Sequence, residues 1–145
     1  NLTTRRYASS EIASMMRDPT YRLYTLRLRD IFGDSGLTAL AIVKVEGEEW
    51  RIDTFLMSCR IIGRGIETVF LNEVMADASR SGAKRLWGEY RPTPKNGLVK
   101  DFYATAGFMI TDGGPQWCRE LEPELPSQPP WVTIGRESQP AVVAG

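Results

Sequence analysis

Across one pair of glycines the hydrophobic rhythm of this chain passes from that of a run of strands to that of a helix. Before them, Tyr21–Asp30 alternates apolar and polar residues with one slip, Leu37–Val45 is the apolar run of a buried strand, and Trp50–Ser58 is the next strand. After the loop "CRIIGRGI" (Cys59–Ile66) apolar residues fall at Ile66, Val69, Phe70, Val74 and Ala78, the spacing of a helix. A strand feeding a glycine-bearing loop feeding a helix requires a sheet with helices on its faces. Such a turn also aims several backbone N–H groups at one point, and the helix start adds about half a positive charge. Gly63 and Gly65 permit close approach without a Cβ, and Arg60 and Arg64 can neutralise a phosphate. An ordinary strand–helix turn with solvated arginines would read the same way. The third glycine of a dinucleotide fingerprint and the Gly-Lys-Ser/Thr of a P-loop are both missing.

The rest of the chain fits around that junction. "TTRRY" (Thr3–Tyr7) reads as a short strand, and Ser9 or Ser10 caps a helix running to about Arg17, stopped by Asp18-Pro19. Strands follow at Tyr21–Asp30, Leu37–Val45 and Trp50–Ser58, joined by turns at Phe32–Gly36 and Glu46–Glu49. The helix from Ile66 runs through Ser79, with Gly82 at its C-terminal cap. Arg85–Tyr90 is a strand, Arg91–Asn96 a loop, Gly97–Gly107 a short helix, Phe108–Gly114 a strand and Pro115–Leu121 a last strand. The predicted fold class is α/β (α+β), a mostly antiparallel mixed sheet of six to seven strands flanked by helices. Residues 1–121 make the domain. Residues 122–145 are Pro-rich and read as a tail or linker.

Composition narrows the chemistry. The 145 residues contain no histidine, which removes Ser-His-Asp, Cys-His and His-based metal sites within this chain. Any base must be a carboxylate, Tyr, Cys, Lys or a water that they hold. Cys59 and Cys118 are the only cysteines; they make neither a disulfide framework nor a zinc site, and a reducing, cytoplasmic setting is expected. Lys plus Arg and Asp plus Glu both number 18, so no nucleic-acid footprint is expected. No apolar run approaches the ~20 residues of a membrane span. The start has no apolar signal core and no Met, as expected of a chain processed or cut from something larger.

Several side chains carry two readings. Cys59, beside Arg60 and near Arg64 and a helix start, suits a stabilised thiolate nucleophile, or equally a small buried residue at a strand end. Asp53 and Glu89 lie on strands near the junction and are either bases or solvated strand acids. Asn96 is a helix N-cap or a ligand contact. Asp30 and Asp34 flank a hairpin turn and lack the ligand count of a calcium loop, so no metal is expected. Arg5, Arg6, Arg22, Arg27 and Arg29 would suit an acidic partner, or an ordinary solvated sheet edge.

Two motifs in order then raise a resemblance. Arg60-x-x-Gly63-x-Gly65 resembles the Q/R-x-x-G-x-G/A motif of the GNAT acyltransferases, and Asn96, Tyr103, Gly107 and Phe108 resemble that superfamily's later N…Y…GF pattern. The longer strings "LRLRDIFGDSGL", "IDTFLMSCRIIGRGIE", "GEYRPTPKN" and "DFYATAGF" are similar to the C-terminal domain of FkbH-like proteins of methoxymalonyl and glyceryl extender-unit biosynthesis. That likeness spans about Asn1 to Leu121. It implies a GNAT-like fold and transfer of an acyl group, glyceryl, to the phosphopantetheine thiol of an acyl carrier protein in polyketide extender-unit biosynthesis. It implies coenzyme A or carrier-bound phosphopantetheine as cofactor, held by Phe55, Leu56, Met57, Arg60, Ile61, Ile62, Gly63, Arg64, Gly65, Ile66 and Asn96. It implies catalytic roles for Cys59 as acyl carrier and Tyr103 as proton donor to the leaving thiolate; Asp53, on the strand leading into the site, is the catalytic carboxylate expected in a chain without histidine. The phosphatase-like partner domain of haloacid-dehalogenase type is missing from this chain. An acetyl-CoA-dependent N-acetyltransferase and a non-catalytic carrier-docking module are the alternatives.

Overall fold

The computed structural model of the chain describes residues 7–30, 33–58, 65–91, 101–112, 114–121, 128 and 135. The elements run α1 (Ser9–Arg17), β1 (Tyr21–Asp30), β2 (Gly33–Glu46), β3 (Glu49–Met57), α2 (Ile66–Arg80), β4 (Arg85–Glu89), α3 (Phe102–Thr105), β5 (Met109–Ile110) and β6 (Gln116–Glu120). Among the described residues the strands form one six-stranded sheet in the order β1-β2-β3-β4-β6-β5. Every pairing is antiparallel except that of β3 with β4. The expected mixed, mostly antiparallel α+β architecture is the one observed.

Register sorts the side chains onto two faces. Tyr24 lies opposite Ala41, and Ala41 opposite Phe55. These residues form one face, and α2 covers it with Phe70, Leu71, Val74 and Met75. Leu71 and Val74 have no exposed surface, and burial of each contributes on the order of 2 kcal/mol. Tyr24 ties β1 to that helix by donating a hydrogen bond from its hydroxyl to Asp77 Oδ2. Arg22 reaches the same carboxylate at 3.0 Å and lies over the Trp50 ring. The opposite face buries Ile42 and Thr54. Leu23 and Tyr24 are neighbours on opposite faces, and both are half-buried. That is why β1 lacks a clean alternation. Its register breaks later, at Arg27.

Local differences from the expected elements have physical causes. Ala8, not a serine, is the N-cap of α1, because Glu11 in the first turn reaches back to accept the Ala8 N–H at 3.1 Å. Strand β2 begins at Gly33 rather than Leu37. Asp34 holds this part of the hairpin by accepting the Gly36 N–H at 2.7 Å and pairing with Arg27 and Arg29. The last hairpin is asymmetric: β5 has only two residues and stands outside β6 at the sheet edge. Ser81 is the C-cap of α2, and Gly82 follows at φ 98°, the left-handed position that glycine takes without strain. Of the expected first strand only Tyr7 is described, and it is not in a strand. Gln128, in the segment read as tail, bonds to α2 through the Val69 carbonyl at 3.1 Å and Glu73 at 3.0 Å.

Candidate functional site

Strands β3 and β4 run parallel for three paired residues and then part. The pairs are Glu49 with Arg85, Trp50 with Leu86 and Arg51 with Trp87. Beyond them β3 continues to Met57 and β4 to Glu89 without pairing to each other. Parallel strands are joined by crossovers, and α2 is the crossover here. Two parallel strands that separate leave a wedge whose walls are backbone, a natural slot for an extended ligand.

The β3 wall carries a bulge. Val43 pairs with Ile52 and Ile42 with Thr54, so Asp53 is the extra residue. A bulge re-aims a side chain and bends its strand. Asp53 is half-buried, and its Oδ2 accepts hydrogen bonds from the Tyr7 hydroxyl at 2.8 Å and from Thr54 Oγ1 at 3.0 Å. Thr54 itself is 2% exposed. Beyond the bulge, Phe55 faces α2 and touches Phe70 with ring centroids 5.4 Å apart. Leu56 and Met57 are half-buried.

The β4 wall carries Gly88 and Glu89. Tyr90 donates its N–H to the Pro115 carbonyl beside β6. The amide of Glu89, one residue earlier, therefore turns the other way, toward β3. The Glu89 side chain is 5% exposed and paired with Arg91. Under this wall lies Tyr103 of α3, 1% exposed. A Cβ on Gly88 would stand 2.3 Å from Tyr103 Cζ and 2.7 Å from its hydroxyl oxygen. The absent side chain of Gly88 is what admits the phenol. Among the described residues the Tyr103 hydroxyl has no hydrogen-bond partner; the Glu89 amide lies near it, short of bonding geometry. Burial pushes the phenol's pKa well up, so it stays protonated across the neutral range. Phe102 bridges the two walls, 5.0 Å from the Phe55 ring and 5.2 Å from that of Tyr103.

The start of α2 closes the set. Gly65 is its N-cap at φ 85°, a left-handed conformation that a Cβ would strain. Ile66 is buried, 6% exposed. Glu67 stands in the first turn, with Oε2 buried and unpartnered among the described residues.

The structure thus brings together Asp53, Phe55, Leu56 and Met57 on one wall and Tyr103 beneath the other, and it puts Gly65 and Ile66 at the head of the crossover helix. Cys59, Arg60, Ile61, Ile62, Gly63, Arg64 and Asn96 lie outside the described residues. Cys118 lies on β6 opposite Trp87, and burial pushes its thiol up. Sequence reasoning missed Tyr7, Gly88 and Phe102. An isolated glycine inside "RLWGEY" is a legible sign of close backbone approach. Tyr7 carries no such sign. Among the described residues no three His, Cys, Asp or Glu side chains are grouped to hold a metal, and no helix is long and apolar enough to cross a membrane.

No known family's sequence profile matches the chain, and no curated protein sequence matches it. Solved structures do. The ribosomal-protein-S18-alanine N-acetyltransferase of Escherichia coli superposes with a TM-score of 0.63 at 15% identity, over 92% of this chain and 86% of that one. Ard1 of Thermoplasma volcanium gives 0.61 at 17%, covering 83% and 84%. A protein of Desulfovibrio desulfuricans assigned to the GNAT acetyltransferases gives 0.61 at 16%, covering 78% of each. The fold of this chain is the GNAT fold.

Proposed function

We propose that this domain is an acyltransferase that moves an acyl group, glyceryl, onto the phosphopantetheine thiol of an acyl carrier protein, in the manner of the FkbH-like proteins its sequence resembles. The observation that carries the reading is the wedge: strands that part after Arg51 and Trp87, with a bulged carboxylate on one wall and a protonated phenol under the other. The residues present fit a pantetheine limb. Gly65 is already left-handed at the head of a 15-residue helix, and the Tyr103 hydroxyl is buried without a partner among the described residues. Arg60, Gly63, Arg64, Gly65 and Ile66 would hold its charged end, and Phe55, Leu56 and Met57 its extended arm. When bound, that limb supplies the thiol that accepts the acyl group.

The chain's own residues do the remaining work. Cys59 carries the acyl group as a thioester. Asp53 takes the proton of the incoming thiol as sulfur bonds the acyl carbon. Tyr103 gives its proton to Cys59 Sγ as the Sγ–acyl bond breaks, and recovers one from solvent. The partners are an acyl carrier protein and a phosphatase-like domain that supplies the glyceryl group. A second reading, an acetyl-CoA-dependent N-acetyltransferase, is supported by the acetyltransferases that share the fold. It needs no cysteine.

Intact-protein mass separates the two. Incubated with a glyceryl thioester of N-acetylcysteamine, the chain should gain one glyceryl mass, lose it to holo-carrier protein, and gain none as Cys59→Ala. No adduct, together with acetyl transfer from acetyl-CoA to amines, would establish the second reading instead. No transfer by this domain to either acceptor, with Cys59→Ala keeping full carrier binding and the complete enzyme its full activity, would leave a non-catalytic docking module.

A further inference from the structure

The bulged carboxylate on β3 does not stand alone. Tyr7 precedes α1 in the chain and belongs to no strand, yet its hydroxyl crosses 46 positions of sequence to reach Asp53 Oδ2 at 2.8 Å. Thr54 Oγ1 donates to the same oxygen at 3.0 Å. Asp53 is two residues past the last β3–β4 pair, where the wedge opens. A bulged, half-buried Asp has two side-chain torsions to settle. Two donors converging on one carboxylate oxygen fix the plane of the group and so the direction of the other oxygen. The Thr54 donor comes from the adjacent residue and follows the strand. The Tyr7 donor comes from outside the sheet and anchors the carboxylate independently of the bulge.

We propose that Tyr7 is a positioning residue for Asp53, holding its carboxylate toward the thiol or amine that enters the wedge. This rests on the reading of Asp53 as the base, and the base is required under either acceptor chemistry. A base displaced by a fraction of an ångström loses much of its effect. The loss should therefore fall on kcat and leave thioester binding alone.

The test is a mutant cycle of Tyr7→Phe, Asp53→Asn and the double variant. It is assayed by the glyceryl mass that holo-carrier protein gains from the glyceryl thioester, and by thiol release from acetyl-CoA with a panel of amines. Asp53→Asn should lower kcat by about 100-fold. Tyr7→Phe keeps the ring and should lower kcat by about 10-fold, with donor KM and coenzyme A affinity within about twofold. In the Asp53→Asn background Tyr7→Phe should cost nothing further. Thr54→Val, which removes the Thr54 donor, should give a separate several-fold loss of kcat at constant KM. Tyr7→Phe with wild-type kcat overturns the proposal, and so does an equal loss with and without Asp53. Unimpaired Asp53→Asn overturns the base reading itself. A wild type inactive on both acceptor classes overturns the acyltransferase reading beneath it.

Discussion

The two ends of the β3–β4 junction are built from the same two strands and behave as opposites. At the paired end, polar side chains satisfy one another across the sheet. Glu49 accepts from Trp87 Nε1 at 3.0 Å and Arg85 Nη1 at 3.1 Å, and Arg51 lies over the Trp87 ring at 5.0 Å. At the parted end, the β3–β4 ladder stops, a residue is inserted at Asp53, and a phenol is buried with its hydroxyl unpartnered among the described residues. Native folds satisfy nearly all buried polar groups, and the exceptions concentrate where something else is meant to bind. The comparison teaches that this sheet is stabilised at one end and held open at the other. Three predictions probe it, ordered by their effect on stability.

The largest is Gly88→Ala. Gly88 is fully paired in β4 opposite Trp117, so an added methyl meets no backbone objection. It meets the Tyr103 ring, 2.3 Å from Cζ and 2.5 Å from Cε1. Ring and strand must separate, and overpacking of that kind costs about 3 kcal/mol. Thermal unfolding should fall by about 10 °C. A shift under ~2 °C would mean that the floor of the wedge is already loose, and the contrast between the two ends would fail.

How much of this could be read beforehand follows from the range of the forces involved. The change of period at Gly63 and Gly65 is local, and it placed β3 and α2 within a residue or two. The strand–loop–helix arrangement and the motif residues Tyr103 and Gly107 pointed to the correct fold for the same reason. The insertion of β6 between β4 and β5 was not legible, because sheet order is set by non-local pairing and "FMITDGGPQWCREL" alternates too briefly to show it. The bulge was hidden as well. "WRIDTFLMS" reads as one regular strand, and only the partner register, Ile42 with Thr54 and Val43 with Ile52, reveals the extra residue. Tyr7 looked like strand because a lone aromatic after "TTRR" fits one. Its bond to Asp53 depends on where α1 begins, which the first residues do not encode by themselves.

The middle prediction tests the paired end. The Trp87 indole N–H, then Arg85, hold the Glu49 carboxyl below the usual carboxylate range. A lowered native value stabilises the fold above the unfolded-state value of about 4.3, and that stability is lost as pH falls through the lower native one. Glu49→Gln should therefore change the acid limb of the stability profile, flattening it below about pH 4.3. Transfer activity should stay at the wild-type level, because Glu49 lies on the far side of the junction from Asp53. A loss of transfer activity in this variant would show the two ends to be coupled rather than opposed.

The smallest effect on stability belongs to Tyr103→Phe, and it separates folding from function most sharply. An unpartnered buried hydroxyl has already given up its hydration, so removing it should leave stability unchanged or raise it by about 1 kcal/mol. Tyr24→Phe is the control, since its hydroxyl donates to Asp77 and its loss should cost about 1.5 kcal/mol or more. Burial, first of all, raises both phenols above the ordinary value. The stability tied to that rise is intact below about pH 10 and falls as pH climbs toward the raised native values, by about 1.4 kcal/mol per unit for each phenol. Tyr103→Phe should make the alkaline decline shallower by one phenol's share while acyl transfer drops by about tenfold or more. If the variant instead loses about 1 kcal/mol at neutral pH and transfers normally, the hydroxyl has a structural partner in solution, and the parted end is as fully satisfied as the paired one.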